Sequence, residues 1–363
     1  MHWRLGMITG VSRQWAGTDR FVVEVDGKKI QALAYRDIVG ELELGQRVLL
    51  NVSALQRGLG TGGVAFIVAP ADELPDDPAP IDGHIVKGRY LPQQLMVQAV
   101  EEQDSPHHDE FVDPADLQCV PVVVADLHSA VPAISCGAHL VDPDLSVAYV
   151  MTDGAALPAA LSISLALMRE RSMLVGSVTC GQSVGGDVEA TTVANGIIAA
   201  RRVLGADIVI VAQGPGNVGT GSTYGFSGLD TAWHLQQAAL VGGRPIAAVR
   251  ASSADKRPRH FGLSHHTLTV LGRATPIRVE VPIPSVEDRG ADYGRAYASL
   301  QADVQQLAER HEVVPVEAAG LYDALADCPV QLRTMGRDLS QDPLSFMCAG
   351  AAGMWAAQVS RSR

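Results

Sequence analysis

Cysteine is scarce and scattered in this sequence. Its five thiols, Cys119, Cys136, Cys180, Cys328 and Cys348, are odd in number and include no C-x-x-C pair. That excludes a disulfide framework and a zinc ribbon, and points to reduced, mostly buried thiols in a cytoplasmic protein. Long apolar runs are missing too: nothing reaches the ~18–20 residues that span a bilayer. The nearest candidate, SFMCAGAAGMWAA at 345–357, is short and rich in small residues, and a packed core helix is expected there. The opening MHWRLGMITG lacks the charged-then-apolar layout of a signal peptide, so no membrane partner is expected. Positive charge is in deficit, with 28 Lys and Arg against 40 Asp and Glu and a net charge of −12. Such a chain is too acidic for general nucleic-acid binding, although one local basic site is compatible with it. No Walker A sequence occurs.

What is present is a globular composition, 47% hydrophobic, in a chain of 363 residues, long for one core at roughly 150 residues per domain. Residues 1–70 read as short strands separated by turns, with V-D-G-K at 25–28 a hairpin signal, and predict a small β-barrel-like domain. Residues 71–80, acidic and proline-rich, read as a linker. From 81 to 330, apolar runs such as VPVVVADL, SVAYVMTD, MLVGSVTCG and DIVIVAQGPG alternate with helix-length segments, among them LPQQLMVQAVEEQ at 91–103. That alternation predicts an α/β domain: a Rossmann-like, doubly wound, mostly parallel sheet covered on both faces. Residues 331–363 are expected to form a C-terminal helical segment packed on it.

In such a sheet, ligands bind beyond the carboxyl ends of the strands. The polar residues that follow the predicted strands are Asp126, His128 and Ser129, then Thr152 and Asp153, then Thr179, Cys180 and Gln182, then Gln213, and finally Arg250, Ser252 and Asp255. The loop GPGNVGTGSTYGFSG at 214–228 brings Gly214, Gly216, Gly219, Thr220 and Gly221. Its G-x-G-x-x-G spacing raises a dinucleotide fingerprint, although the glycines continue through Gly221, Gly225 and Gly228 and the next strand ends at Arg250, farther off than the usual ~20 residues; Arg250 with Ser252 would suit a 2′-phosphate instead. Gly185 and Gly186 stand in a similar loop, where Asp187 is expected to cap the next helix. Cys180 is expected to be an inert buried thiol rather than a nucleophile.

The segment RASSADKRPRHFGLSHHTLT at 250–269 is the least ordinary in the chain. Arg250, Arg257 and Arg259, with Asp255 among them, concentrate cations as an anion clamp would. His260, His265 and His266 supply imidazoles for proton transfer, along with His128, while Asp126 or Asp153 would orient them. A metal held by these histidines with Asp126, His128 or Asp255 is less favoured, because adjacent histidines on a helix point about 100° apart. One of the three is expected instead to cap a helix. In GHIVKGRY, strand alternation puts Lys87 and Arg89 on one face, suited to an anion.

Together GLGTGG at 58–63, GHIVKGRY, DLHS, YVMTDGAALP, GQSVGGD, GPGNVGTG and DKRPRHFGLSHHTLT resemble an uncharacterised family of bacterial proteins, catalogued as a domain of unknown function (number 3866). The resemblance spans about residues 5–275 and implies the same two-part architecture. It implies no activity, substrate or cofactor, and no site residue is carried over from it. The sequence departs from the family's pattern at Gly88 and at Gln182-Ser183.

The expected function is the binding of a small phosphorylated or nucleotide-like anion at the sheet's carboxyl edge, with hydrolysis or group transfer to follow. Gly214, Gly216, Gly219, Thr220, Gly221, Gly185 and Gly186 would cradle the anion, and Arg250, Arg257, Arg259, Lys87 and Arg89 would neutralise it. An NADP-dependent oxidoreductase and a non-enzymatic metabolite sensor, with GLGTGG as the contact between its two parts, stand as alternatives. No cofactor is identified, and homo-oligomer formation is left open.

Overall fold

The computed structural model describes residues 1–58, 62–75, 77–114, 116–285 and 290–361. Contacts divide the chain into two units, Met1–Val97 with Ala160–Ala166, and Gln98–Ala159 with Leu167–Arg363. The first unit thus runs beyond the proline-rich stretch at 71–80.

Five strands close a barrel in the order β1-β2-β3-β5-β4: β1 (Trp3–Trp15), β2 (Thr18–Val25), β3 (Lys28–Tyr35), β4 (Arg47–Asn51) and β5 (Ala65–Pro70). β1 is long enough to pair with β2 and with β4, and register shifts after Ile8 and Val11 bend it between them. Asp26 and Gly27 both take positive φ between β2 and β3, as a two-residue hairpin turn requires. Ile8, Phe21, Val23, Val48, Leu50 and Ile67 fill the interior. Within GLGTGG, residues 59–61 lie outside the described residues.

The expected helix over 91–103 does not form. β6 (Ile85–Lys87) and β7 (Leu95–Val97) pair as an antiparallel hairpin instead. Gly88 and Tyr90 turn the chain with positive φ, and Leu95-Met96-Val97 follows a period of two. β6 ends at Lys87, so its alternation stops short of Arg89: Lys87 is buried and Arg89 exposed.

The second unit holds β8 (Pro121–Ala125), β9 (Val147–Thr152), β10 (Gly176–Cys180), β11 (Val188–Ala190), β12 (Ile208–Gln213), β13 (Arg244–Ala247), β14 (Ala251–Ser252), β15 (Gly262–Leu263), β16 (Glu280–Pro284) and β17 (Glu312–Val316). Eight of them form one sheet in the order β11-β10-β9-β12-β8-β13-β16-β17. Every pair in that sheet is parallel, as in a Rossmann-like α/β domain. β8, β9, β10 and β12 are buried at every position, which explains the apolar runs of β8, β9 and β12; in β10 the buried Ser177 and Thr179 hydroxyls donate to Asp187 and Glu189. From β8 the chain moves toward β10, then reverses through β12 to β13 and beyond. Right-handed crossovers in opposite directions place their helices on opposite faces. Val131–Val141 accordingly packs with Pro343–Arg361, and Val193–Arg202 with Thr231–Leu240.

The 345–357 segment lies within the helix Pro343–Arg361 and is almost wholly buried. Among the described residues, no helix is long and apolar enough to cross a membrane. Small residues let this helix approach Val131–Val141 backbone to backbone. A Cβ on Gly353 would stand 1.9 Å from the Ile134 carbonyl oxygen, and one on Gly137 would stand 2.0 Å from that of Gly350. Gly353→Ala is therefore expected to destabilise by at least the ~1–3 kcal/mol of ordinary overpacking. Gly294→Ala, in the helix Ala291–Leu307 with nothing within 4 Å of the added methyl, should instead gain ~0.5–1 kcal/mol. Urea unfolding of the two variants measures both effects.

Candidate functional site

The reversal of strand order opens a crevice at the carboxyl ends of β8 and β13, since their following connections leave in opposite directions. Asp126, just past β8, and Arg250, just past β13, meet across it, with Arg250 Nη1 3.5 Å from Asp126 Oδ2. Both side chains are about nine-tenths buried, at 12% and 11% exposure. The same Nη1 lies 3.3 Å from His266 Nδ1.

β14 and β15 pair as a short antiparallel ladder, and the chain between them makes an excursion that carries Asp255, Arg257, Arg259 and His260. Ser264 then caps the short helix His265–Thr269, accepting a hydrogen bond from His266 N, and it also lies 2.9 Å from His260 Nδ1. The expected capping role thus belongs to Ser264 and to none of the histidines. Phe226 stacks flat against His266, with ring centroids 3.9 Å apart and planes 1° from parallel. The three imidazoles crowd together, with centroid separations of 4.3, 4.8 and 5.2 Å.

These rings line a cavity of about 130 Å³ together with Arg250, Arg257, Arg259, Asn217, Val218, Gly219 and Gly221. Asp255 lies behind Arg257 and holds it by two hydrogen bonds, Nε to Oδ1 at 3.0 Å and Nη2 to Oδ2 at 2.8 Å. The Arg257 guanidinium keeps the Asp255 carboxyl well below its usual range. Among the described residues no carboxylate pairs with Arg259. The excursion is anchored from beneath by Asp342, which is fully buried. Asp342 accepts hydrogen bonds from Ser252 Oγ at 2.7 Å, Ser253 N at 2.8 Å and Arg337 Nε at 2.9 Å.

Burial and the neighbouring Arg250 push His260 down to about 4 and His266 down to about 3, and His265 is lowered by the same causes. The shifts of all three rings are in the direction that favours the neutral imidazole. Asp126 is pushed upward by burial, against the opposing pull of Arg250.

Other expected site residues lie elsewhere. His128 is turned toward Tyr149, its Nδ1 3.1 Å from that hydroxyl, and lines none of this cavity. Asp153 is exposed and accepts from Gln182 N at 2.9 Å. The amides of Gly185 and Gly186 are already engaged, by Glu189 Oε1 at 2.7 Å and Thr179 Oγ1 at 3.0 Å. Asp187 caps no helix: it accepts from Ser177 N and Oγ and pairs with Arg169, while Thr192 caps the helix Val193–Arg202. Gly214 packs tightly under Ala156 and Met151. Thr220 is exposed and bonds within its own loop, to Gly225 O and Ser222 Oγ. Lys87 and Arg89 belong to the first unit. The 214–228 loop is also unlike a dinucleotide turn. Gly219 bridges back to Phe226, and the first helical turn begins only at Ser227.

Sequence reading missed His234 and Asp230, whose i, i+4 spacing was the available signal. They line a small polar void, about the space of one water, with Asp126, Thr152 and Gln213. Thr152 Oγ1 and Gln213 Oε1 are buried there with no hydrogen-bond partner. Phe226, Ser264, Asn217 and Asp342 were also missed; Ser264 carried the signal of a serine just before a helix, and the other three carry no local pattern.

Residues 31–353 match the model of a family described as Protein of unknown function (DUF3866). The chain belongs to that family. The DUF3866 match begins inside β3 and takes in every residue that lines the cavity. No curated protein matches the chain.

Two further histidines bear on acid stability. Burial pushes His128 down to about 4, and His234 to about 4 despite the opposing charge of Asp153. An unfolded histidine titrates near 6.5, so between about pH 6.5 and pH 4 the unfolded chain holds more protons. Stability should therefore fall as pH drops through that window. A melting temperature followed against pH should show this decline, and His234→Gln should shallow it; an identical slope in the variant would contradict the assignment.

Proposed function

We propose that this DUF3866 protein binds a small phosphorylated or nucleotide-like anion in the crevice beyond β8 and β13, and acts on it as a hydrolase or group transferase. The observation that carries this reading is the lining of one small cavity by Arg250, Arg257 and Arg259, in a protein of net charge −12. Asp126 and Asp255 offset Arg250 and Arg257, which leaves Arg259 as uncompensated charge facing the cavity. Guanidinium forks match phosphate oxygens geometrically, and a charge-assisted pair is stronger than a neutral one. At about 130 Å³ the cavity takes a phosphate-sized group but no whole nucleotide, so the remainder of the ligand would extend over the open rim. His260, His265 and His266 stand against that volume as groups that can accept or return a proton. The NADP alternative gains no support, because the glycine loop enters no helix at the point where a pyrophosphate would sit.

Calorimetric titration of the metal-stripped protein with pyrophosphate, nucleoside phosphates and NADP tests the proposal. Pyrophosphate or a nucleoside phosphate is expected to bind. Arg259→Ala should weaken that binding by about tenfold or more, the loss of one charged hydrogen bond, at an unchanged melting temperature. Absence of binding by every phosphate compound, or equal binding by the variant, would overturn it.

A further inference from the structure

The three histidines present a second chemistry, independent of the arginines. One ring nitrogen from each of His260, His265 and His266 lies within 4.8 Å of the other two. An ion bound tetrahedrally at ~2.0–2.1 Å from three imidazoles holds their nitrogens roughly 3.3 Å apart. The rings need close by no more than ~1.5 Å to reach that geometry, a shift within the reach of side-chain rotation.

The ring environments favour such a closure. His265 Nε2 is buried and has no hydrogen-bond partner. Burying a polar nitrogen without a partner is unfavourable, and a cation would satisfy it. His260 Nδ1 is engaged by Ser264 Oγ at 2.9 Å, so its Nε2 remains for an ion. Fixing one ring nitrogen by an outer partner while the other binds is the usual arrangement of a metal-bound histidine. The stack on Phe226 fixes the plane of His266. If His266 also binds through Nε2, its proton moves to Nδ1. Arg250 then gives up that contact and keeps Asp126 as its partner.

We infer that His260, His265 and His266 form a site for one divalent transition ion of the zinc class, with the position facing Asn217–Gly221 left open. Three neutral imidazoles are soft enough for zinc, cobalt or nickel, and they supply none of the oxygen ligands that magnesium or calcium require. Three protein ligands with an open fourth position describe a catalytic rather than a structural metal site. Water or an anion oxygen would fill that position, and an anion there would also offset the ion's repulsion by Arg250 and Arg259. This last point rests on the anion-binding reading; the metal site itself does not.

The test is titration of the full-length, metal-stripped protein with Co²⁺, followed by its visible ligand-field bands and by competition with Zn²⁺. One ion per chain is expected, displaced by zinc and untouched by excess Mg²⁺. His265→Gln and His260→Gln should each weaken binding by more than the ~10–100-fold that loss of an outer partner costs. Arg259→Ala should keep the bands while losing pyrophosphate affinity, which separates a failed metal site from a failed anion site. X-ray absorption of the wild-type cobalt protein supplies a readout that needs no variant, with three imidazole nitrogens expected in the first shell. The inference is overturned by the absence of stoichiometric Co²⁺ binding, by a first shell with fewer than three imidazoles, or by bands that survive both histidine substitutions.

Discussion

Asp126 and Arg250 join the ends of two adjacent strands at the point where the chain's path across the sheet reverses. Neither charge has much water around it, and each needs the other: removing one partner of a buried pair strands the second, at a typical cost of about 3–5 kcal/mol. Arg250 then spreads this fixed point outward. Its backbone N–H donates to Thr267 Oγ1 and its carbonyl accepts from Ser264 N, so the short helix that bears His265 and His266 is tied to the same residue. The crevice is therefore held open by an ion pair and shaped by the backbone around it.

Around that pair the site divides its labour by charge. Arg250 and Arg257 each have a carboxylate at hand, Arg259 has none among the described residues, and burial lowers the basicity of the three imidazoles beside them. The cavity lining thus combines net positive charge with imidazole lone pairs. The glycine loop contributes Asn217, Val218, Gly219 and Gly221 to the same lining.

The fold was legible where burial dictates residue type. β8, β9 and β12 are covered on both faces, so all but their carboxyl ends are dominated by apolar residues and the alternation with helices stands out in the chain. LPQQLMVQAVEEQ misled because Leu95 and Val97 fit a strand pattern as well as a helical one, and two positive-φ residues upstream turned the balance. The site was legible in part. Arg250, Arg257, Arg259 and the three histidines drew notice as an unusual local composition, and the fold does gather them. The rest turned on who satisfies whom. Gly185 and Gly186 look like an anion cradle in sequence, but Glu189 and Thr179 already hold their amides. His128 follows a strand end as a catalytic group would, yet its ring turns to Tyr149. The angle between adjacent helical positions did not foretell how near the three rings lie, because His265 opens the helix and His260 approaches from the preceding excursion.

Asp342 fastens the histidine-bearing excursion from a position ninety residues downstream of Ser252. Nothing nearer in sequence among the described residues supplies a comparable buried anchor for Ser252 and Ser253. A nascent chain will therefore have exposed the arginines and imidazoles, and laid down most of the parallel sheet, well before the residue that fixes their support has been synthesised. A chain released before Asp342 would carry every residue that lines the cavity except a settled geometry for them.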